Sequence, residues 1–197
     1  MLSVEDKDRA LREHVLYLLR GGGAHIKFDE ALKDFPVELF NRRAEGVPYT
    51  PWQLLEHMRI AQRDIVEFSR SASHVSPEWP EGYWPDKTIE ATEDDWRRSV
   101  EGFRADLQAM EALVEDAAGD LYARIPHGEG QTLLREALLV ADHNAYHLGA
   151  LVTLRRTLEG GRGASSSSSG ASSSSSGTPS NSSGTPSNSS GGSEGSS

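Results

Sequence analysis

The 197-residue chain contains no cysteine. That excludes a disulfide framework, a thiolate metal site and a nucleophilic thiol of its own. Any thiol chemistry must therefore bring its thiol as a co-substrate. No run of about 18 apolar residues occurs, so no helix is expected to span a membrane. Met1 to Asp8 is charged where a secretion signal carries an apolar stretch, so a cytoplasmic location is expected. Positive charge is also scarce. Lys and Arg total 20 against 30 acidic residues, and only Glu194 of all these lies beyond Arg162, which leaves −9 before Gly163. That balance argues against nucleic acid or an anionic membrane as partner. From Gly163 onward the chain lacks any apolar side chain larger than Ala or Pro. It repeats in sevens there: GASSSSS twice, GTPSNSS twice, then GGSEGSS. Such a segment cannot offset its ordering entropy. The expected organisation is one helical domain over 1–162 and a disordered Gly/Ser-rich linker or tag over 163–197, engineered by its regularity. Asn181 and Asn188 fall in N-x-S patterns that are accidental without a secretion signal.

What remains reads as helices around one core. A first helix over 3–20 has Ser3 as cap, Leu11, Val15, Leu18 and Leu19 as apolar face, and Gly21-Gly22-Gly23 as stop. His14 lies near that face as a half-buried packing residue. A short helix over 26–35, ended by Pro36, sits in the first crossover. His25, beside the glycines, either faces a pocket mouth or caps a loop. Arg42-Arg43 reads as solvated surface. Thr50-Pro51-x-Gln53 has the pattern of a capping box with proline at the first helical position, opening a helix to about residue 71. Its core positions are Leu54, Met58, Ala61, Ile65 and Phe68. The connection after it holds Trp79, Tyr83 and Trp84 among three prolines. Such a segment either plugs one end of the bundle, or its aromatics wall a site or meet a dimer partner. The next helix, over 93–118 with Thr92 as cap, carries a bundle seam of Trp96, Val100, Phe103, Leu107, Met110 and Val114. His127, in Pro-His-Gly, is expected to be exposed. The last helix, over 132–158, has Leu134, Leu138, Ala141, Leu148, Leu151 and Leu154 as core positions.

His143 and His147 stand four apart on that last helix, with Cβ atoms roughly 5–6 Å apart on one face. Two imidazoles at that separation can close on one ion, but two ligands hold a metal poorly, so a third donor is needed. His57, at the edge of its helix's buried stripe, is the best candidate. The spacing His143-Asn144-Ala145-Tyr146-His147 is that of a metalloprotease helix, but Asn144 stands where the general-base Glu would be. Gln53, one turn before His57, and Glu136, two turns before His143, are candidates to orient the ligand rings. Asp142 is expected in a helix–helix contact.

Trp52 followed by His57, then Asp142-His143-Asn144-Ala145-Tyr146-His147-Leu148-Gly149 with Arg155-Arg156 downstream, resembles the DinB superfamily of DinB/YfiT-like proteins. The likeness spans roughly residues 4–158. It implies an all-α four-helix bundle of up-down-down-up order and a three-histidine site, His57, His143 and His147, for a divalent metal. Homodimers are frequent among such proteins. Characterised relatives include thiol S-transferases that use bacillithiol or mycothiol, and a mycothiol-dependent isomerase.

Three imidazoles with an open fourth position form a catalytic kind of site, with zinc as first choice and nickel or iron as alternatives. The expected function is transfer of a low-molecular-weight thiol to an electrophilic small molecule, the ion helping a thiol of pKa ~8.5 to ionise. The alternatives are a metal-dependent hydrolase or a non-catalytic bundle that binds a ligand or a protein.

Overall fold

The computed structural model describes residues 3–166 and is all-helical. Four long helices are α1 (Val4–Leu19), α3 (Pro51–Arg70), α4 (Glu93–Glu115) and α5 (Leu133–Ser166). The short α2 (Phe28–Leu32) and a 3-10 turn at Val37–Leu39 fill the first crossover, and a second 3-10 turn, Glu81–Tyr83, follows α3. The expected boundary at Gly163 falls in the last turn of α5, and residues 167–197 of the expected tail lie outside the described residues.

Local chemistry sets the helix ends. Ser3 with Asp6, Thr50 with Gln53, and Thr92 with Asp95 each form a reciprocal capping box. Each box satisfies two backbone donors that a helix start leaves open. Thr132 accepts from the Arg135 amide ahead of α5. α1 stops where Gly21 takes φ +68°, and Gly22 packs so tightly under Tyr17 that a Cβ there would stand 2.4 Å from the Tyr17 carbonyl. α4 ends at Glu115, three residues short of the expected end. Its last carbonyls are held by a buried arginine: Arg12 Nη1 donates to Val114 O at 2.7 Å and to Asp116 O at 2.9 Å, and Nη2 donates to Gly119 O.

Pairings between helices give the topology. Trp52 bonds Ser99 and Gln62 bonds the Phe103 carbonyl, so α3 and α4 run parallel. Leu54 and Leu55 pack with Leu151 and Leu154, while Val66 packs with Ala137 and Val140, so α5 runs against α3. Arg12 meets Asp116 and Arg20 meets Glu111, so α1 runs against α4. The order is up-down-down-up. Arg155 of α5 clasps the crossover through the carbonyls of Ala31, Lys33 and Asp34.

All six seam residues of α4 face inward, five of them buried and Leu107 half-buried. Two other faces are turned from expectation. Leu18 is 45% exposed and Leu138 42% exposed, while Leu16, Ala137 and Val140 are buried instead. Successive helical residues turn by about 100°, so a stripe fixed by Val15, Leu16 and Leu19, or by Ala137 and Val140, leaves Leu18 and Leu138 outside. On α3, Val66 is buried where Ile65 and Phe68 are only half so. His14 and Asp142 are exposed rather than packed between helices.

Candidate metal centre

α3 delivers His57 and α5 delivers His143 and His147 to one point. Their antiparallel register is locked by apolar contacts on both sides of the histidines, those of Leu54 and Leu55 on one side and of Val66 on the other. His57 Nε2 lies 3.2 Å from His147 Nε2 and 3.3 Å from His143 Nε2. The three form a metal-sized group, with one ligand atom from each residue within 4.8 Å of the others. Two donors bound at ~2.0–2.1 Å to a tetrahedral ion stand about 3.3–3.4 Å apart, so the spacing fits one ion.

The protonation pattern fits as well. His57 Nδ1 lies 2.8 Å from the Tyr83 carbonyl, which can only accept, so Nδ1 carries the hydrogen and Nε2 presents a lone pair. Burial lowers the pKa of His57, against the raising effect of that carbonyl. His143 and His147 are pushed down to about 4, first by burial and then by the neighbouring imidazoles. All three rings are therefore neutral at pH 7. One Nε2 lone pair on His57 can serve one donor, yet two other Nε2 atoms face it. A cation at the centre resolves that crowding. The Nδ1 atoms of His143 and His147 are buried without a partner, unlike that of His57.

The connection after α3 covers one side of the triad. The Trp84 ring stacks on His57 with centroids 4.0 Å apart and 5° between planes, and Tyr49 stacks on Trp84 at 5.5 Å. Tyr83 donates its hydroxyl to Asp64 at 2.7 Å, and burial, then Asp64, pushes its pKa up to about 12. Of the three aromatics weighed for this segment, Trp84 walls the site with its ring, and Tyr83 reaches it through its carbonyl. Trp79 is 74% exposed and touches Tyr83 edge-on. The other side of the triad is less covered: His143 and His147 are half-buried, and Tyr146, edge-on to His147 at 4.9 Å, is 73% exposed.

Other candidates stand elsewhere. Gln53 is spent on the Thr50 cap, and Glu136 is buried against Arg135, so neither orients a ligand ring. Asn144 donates to Gln62, whose own amide donates to the Phe103 carbonyl, so Asn144 is tied into the core. His25 bonds the Ile26 carbonyl and lines a different cavity, of about 280 Å³, with Met58, Phe103 and Leu148 on the other face of α5. His127 is exposed as expected, its Nε2 on the Phe68 carbonyl.

The fold and the triad together define an all-α bundle with a three-histidine group able to hold a divalent ion. A family model described as the DinB superfamily matches residues 24–151, and the chain belongs to that superfamily. No curated protein and no solved structure matches it. Among the described residues, no helix is long and apolar enough to cross a membrane.

Proposed function

We propose that the protein is a metal-dependent transferase that joins a low-molecular-weight thiol to an electrophilic small molecule. The observation that carries this reading is the uneven cover of the triad. His57 is 5% exposed beneath Trp84, whereas His143 and His147 are only partly buried, beside the exposed Tyr146. A structural ion is closed off by four protein ligands; a catalytic one keeps a position for water or substrate. A divalent ion held there, zinc first, lowers the pKa of a thiol and polarises an electrophile.

The chain's own residues do the rest. His57, His143 and His147 hold the ion, and the Tyr83 carbonyl keeps His57 Nε2 directed at it. Trp84 excludes water from one side. A groove of about 330 Å³, joined to the triad through Tyr146, which touches His147, is lined by Val47, Tyr49, Tyr146, Ala150 and Leu154 without a charged side chain and suits the apolar body of an electrophile. In the transfer the thiol S–H bond breaks, a sulfur–carbon bond forms, and the leaving group departs with its electron pair and the proton is released to solvent. The chain has no cysteine, so both sulfur and carbon arrive as substrates. A homodimer belongs to the same proposal, with the exposed Leu138 and Leu139 of α5 as apolar surface for it.

The test is a thiol-consumption assay on zinc-loaded protein across a panel of low-molecular-weight thiols and alkyl or aryl electrophiles, with thioether detected by mass spectrometry. Turnover that vanishes in His57→Ala together with bound zinc supports the transferase. Zinc binding without turnover in any pairing overturns it in favour of a non-catalytic binding bundle. No carboxylate joins the histidine group among the described residues, so a hydrolase would have to draw its general base from elsewhere.

A further inference from the structure

Asp64 is seven residues after His57 on α3, two turns and ~10.5 Å along the same face. Its side chain is 11% exposed and both its oxygens are used. Oδ1 lies 2.7 Å from His74 Nε2, and Oδ2 accepts from the Tyr83 hydroxyl at 2.7 Å. His74 stands just after α3 ends, and Tyr83 closes the second 3-10 turn. One carboxylate thus ties the connection over 71–92 to α3 at two points. Tyr83 is in turn held at both ends, its hydroxyl on Asp64 and its carbonyl on His57. The span between those two anchors sets where Trp84 begins, and Trp84 lies flat on His57.

The far end of this connection is anchored separately, by Ala91, which is buried and exchanges two hydrogen bonds with Asn41, and Trp84 also packs beside the core of Leu54, Leu55 and Leu151. Between His74 and Trp84 the connection has little else to hold it. It carries Pro77, Pro80 and Pro85 and has no helix longer than the three-residue turn. No residue of that turn is buried, and the nearby Trp79 is in solvent.

We propose that Asp64 is a positioning residue of the metal centre: by clasping His74 and Tyr83 it holds the Tyr83 carbonyl and the Trp84 ring on His57, and so fixes the tautomer and direction of that ligand. The proposal rests on the metal-site reading above. Asp64 touches no ligand nitrogen and acts only through Tyr83. A partner that orients a ligating imidazole is worth about 10–100-fold in metal affinity. A residue that merely anchored a loop would change stability and leave the His57 ring as it was.

The experiment uses the full chain as wild type, Asp64→Ala, Asp64→Asn, Tyr83→Phe and His57→Ala. Zinc affinity is measured by chelator competition, and the His57 tautomer by nitrogen-15 imidazole NMR on the metal-free protein. The wild type shows one His57 tautomer, with hydrogen on Nδ1. Asp64→Ala and Tyr83→Phe show a mixture of tautomers and bind zinc about 10–100-fold more weakly. Asp64→Asn keeps an acceptor for the Tyr83 hydroxyl and stays close to wild type. Should Asp64→Ala fail to fold, Tyr83→Phe, which removes one oxygen, decides alone. Unchanged affinity and an unchanged tautomer in a folded Tyr83→Phe overturn the proposal. Should the wild type bind no zinc, the metal reading fails separately. The clasp is then judged by the NMR result: a single tautomer in wild type that is lost in Tyr83→Phe upholds it, and the same tautomer in both overturns it.

Discussion

With no ion bound, lowering the pH should destabilise this protein through two histidines, and the size of the effect follows from their burial. His143 and His147 are held near a pKa of about 4 in the fold, against 6.5 for a free imidazole. Between those values the unfolded chain binds protons that the folded chain refuses, so stability must fall as pH falls through 6.5 toward 4. One pKa unit corresponds to ~1.36 kcal/mol. Going from pH 7 to pH 5 protonates nearly all of each unfolded imidazole and little of each folded one, a loss of about 2 kcal/mol per histidine before screening. Both rings are half-buried, so solvent trims the figure to about 1–2 kcal/mol each, or about 2–4 kcal/mol for the pair. The assay is urea unfolding at pH 7 and pH 5 in excess chelator, for wild type and His147→Ala. Carboxylate contributions are common to both proteins and cancel in the comparison. The variant lacks one suppressed imidazole, and its remaining one has lost a repelling neighbour, so its stability should change less with pH. Equal pH dependence in the two proteins would refute the argument that the triad is kept neutral by burial.

Two further predictions concern the scaffold that presents the triad. Arg12→Met should remove the donors to the carbonyls of Val114, Asp116 and Gly119 while filling similar volume, and should cost about 2–4 kcal/mol in denaturant unfolding; a variant within 0.5 kcal/mol of wild type, a roughly neutral surface effect, would show that the end of α4 does not depend on it. Gly22→Ala would put a Cβ 2.4 Å from the Tyr17 carbonyl and against the Tyr17 ring, so a melting temperature lowered by several degrees is expected, about 1–3 kcal/mol, and an unchanged melt would mean the turn relaxes freely.

The parts of this structure legible in the sequence are those governed by local rules. Thr50 and Gln53 close their capping box because both partners lie within one turn of chain. The α4 seam points inward because its 4-3-4 spacing leaves no other face apolar. The pair His143 and His147 shares a face because helix geometry alone demands it. What escaped was set by partners distant in the chain. The inward side of α1 depends on Arg12 reaching α4, so a charged residue sits inside while Leu18 turns out. The group that orients His57 is a main-chain carbonyl 26 residues away, and a main-chain carbonyl has no signature in residue type. Gln53 and Glu136 were the side chains within helical reach, and both are engaged elsewhere. The sole written trace of the true partner was a proline-stiffened stretch with more aromatic surface than a solvated loop requires.

That His57 joins the other two is the step local rules cannot supply, because it depends on how α3 slides against α5. A slip of one turn is about 5.4 Å, more than the 3.2–3.3 Å that separates the Nε2 atoms, so the group exists in one register only. The register is fixed by large apolar side chains on both sides of the histidines: Leu54, Leu55, Leu151 and Leu154 on one, and Val66, Ala137 and Val140 on the other. All are at most 4% exposed, so a slip would open cavities in two clusters at once. Between them, Met58 and Leu148 stand next in sequence to His57 and His147 and are buried in one cluster, placing the two ligand-bearing turns at the same level. The three-histidine group is thus specified less by its histidines than by the leucines, valines and alanine that forbid every other alignment of the two helices.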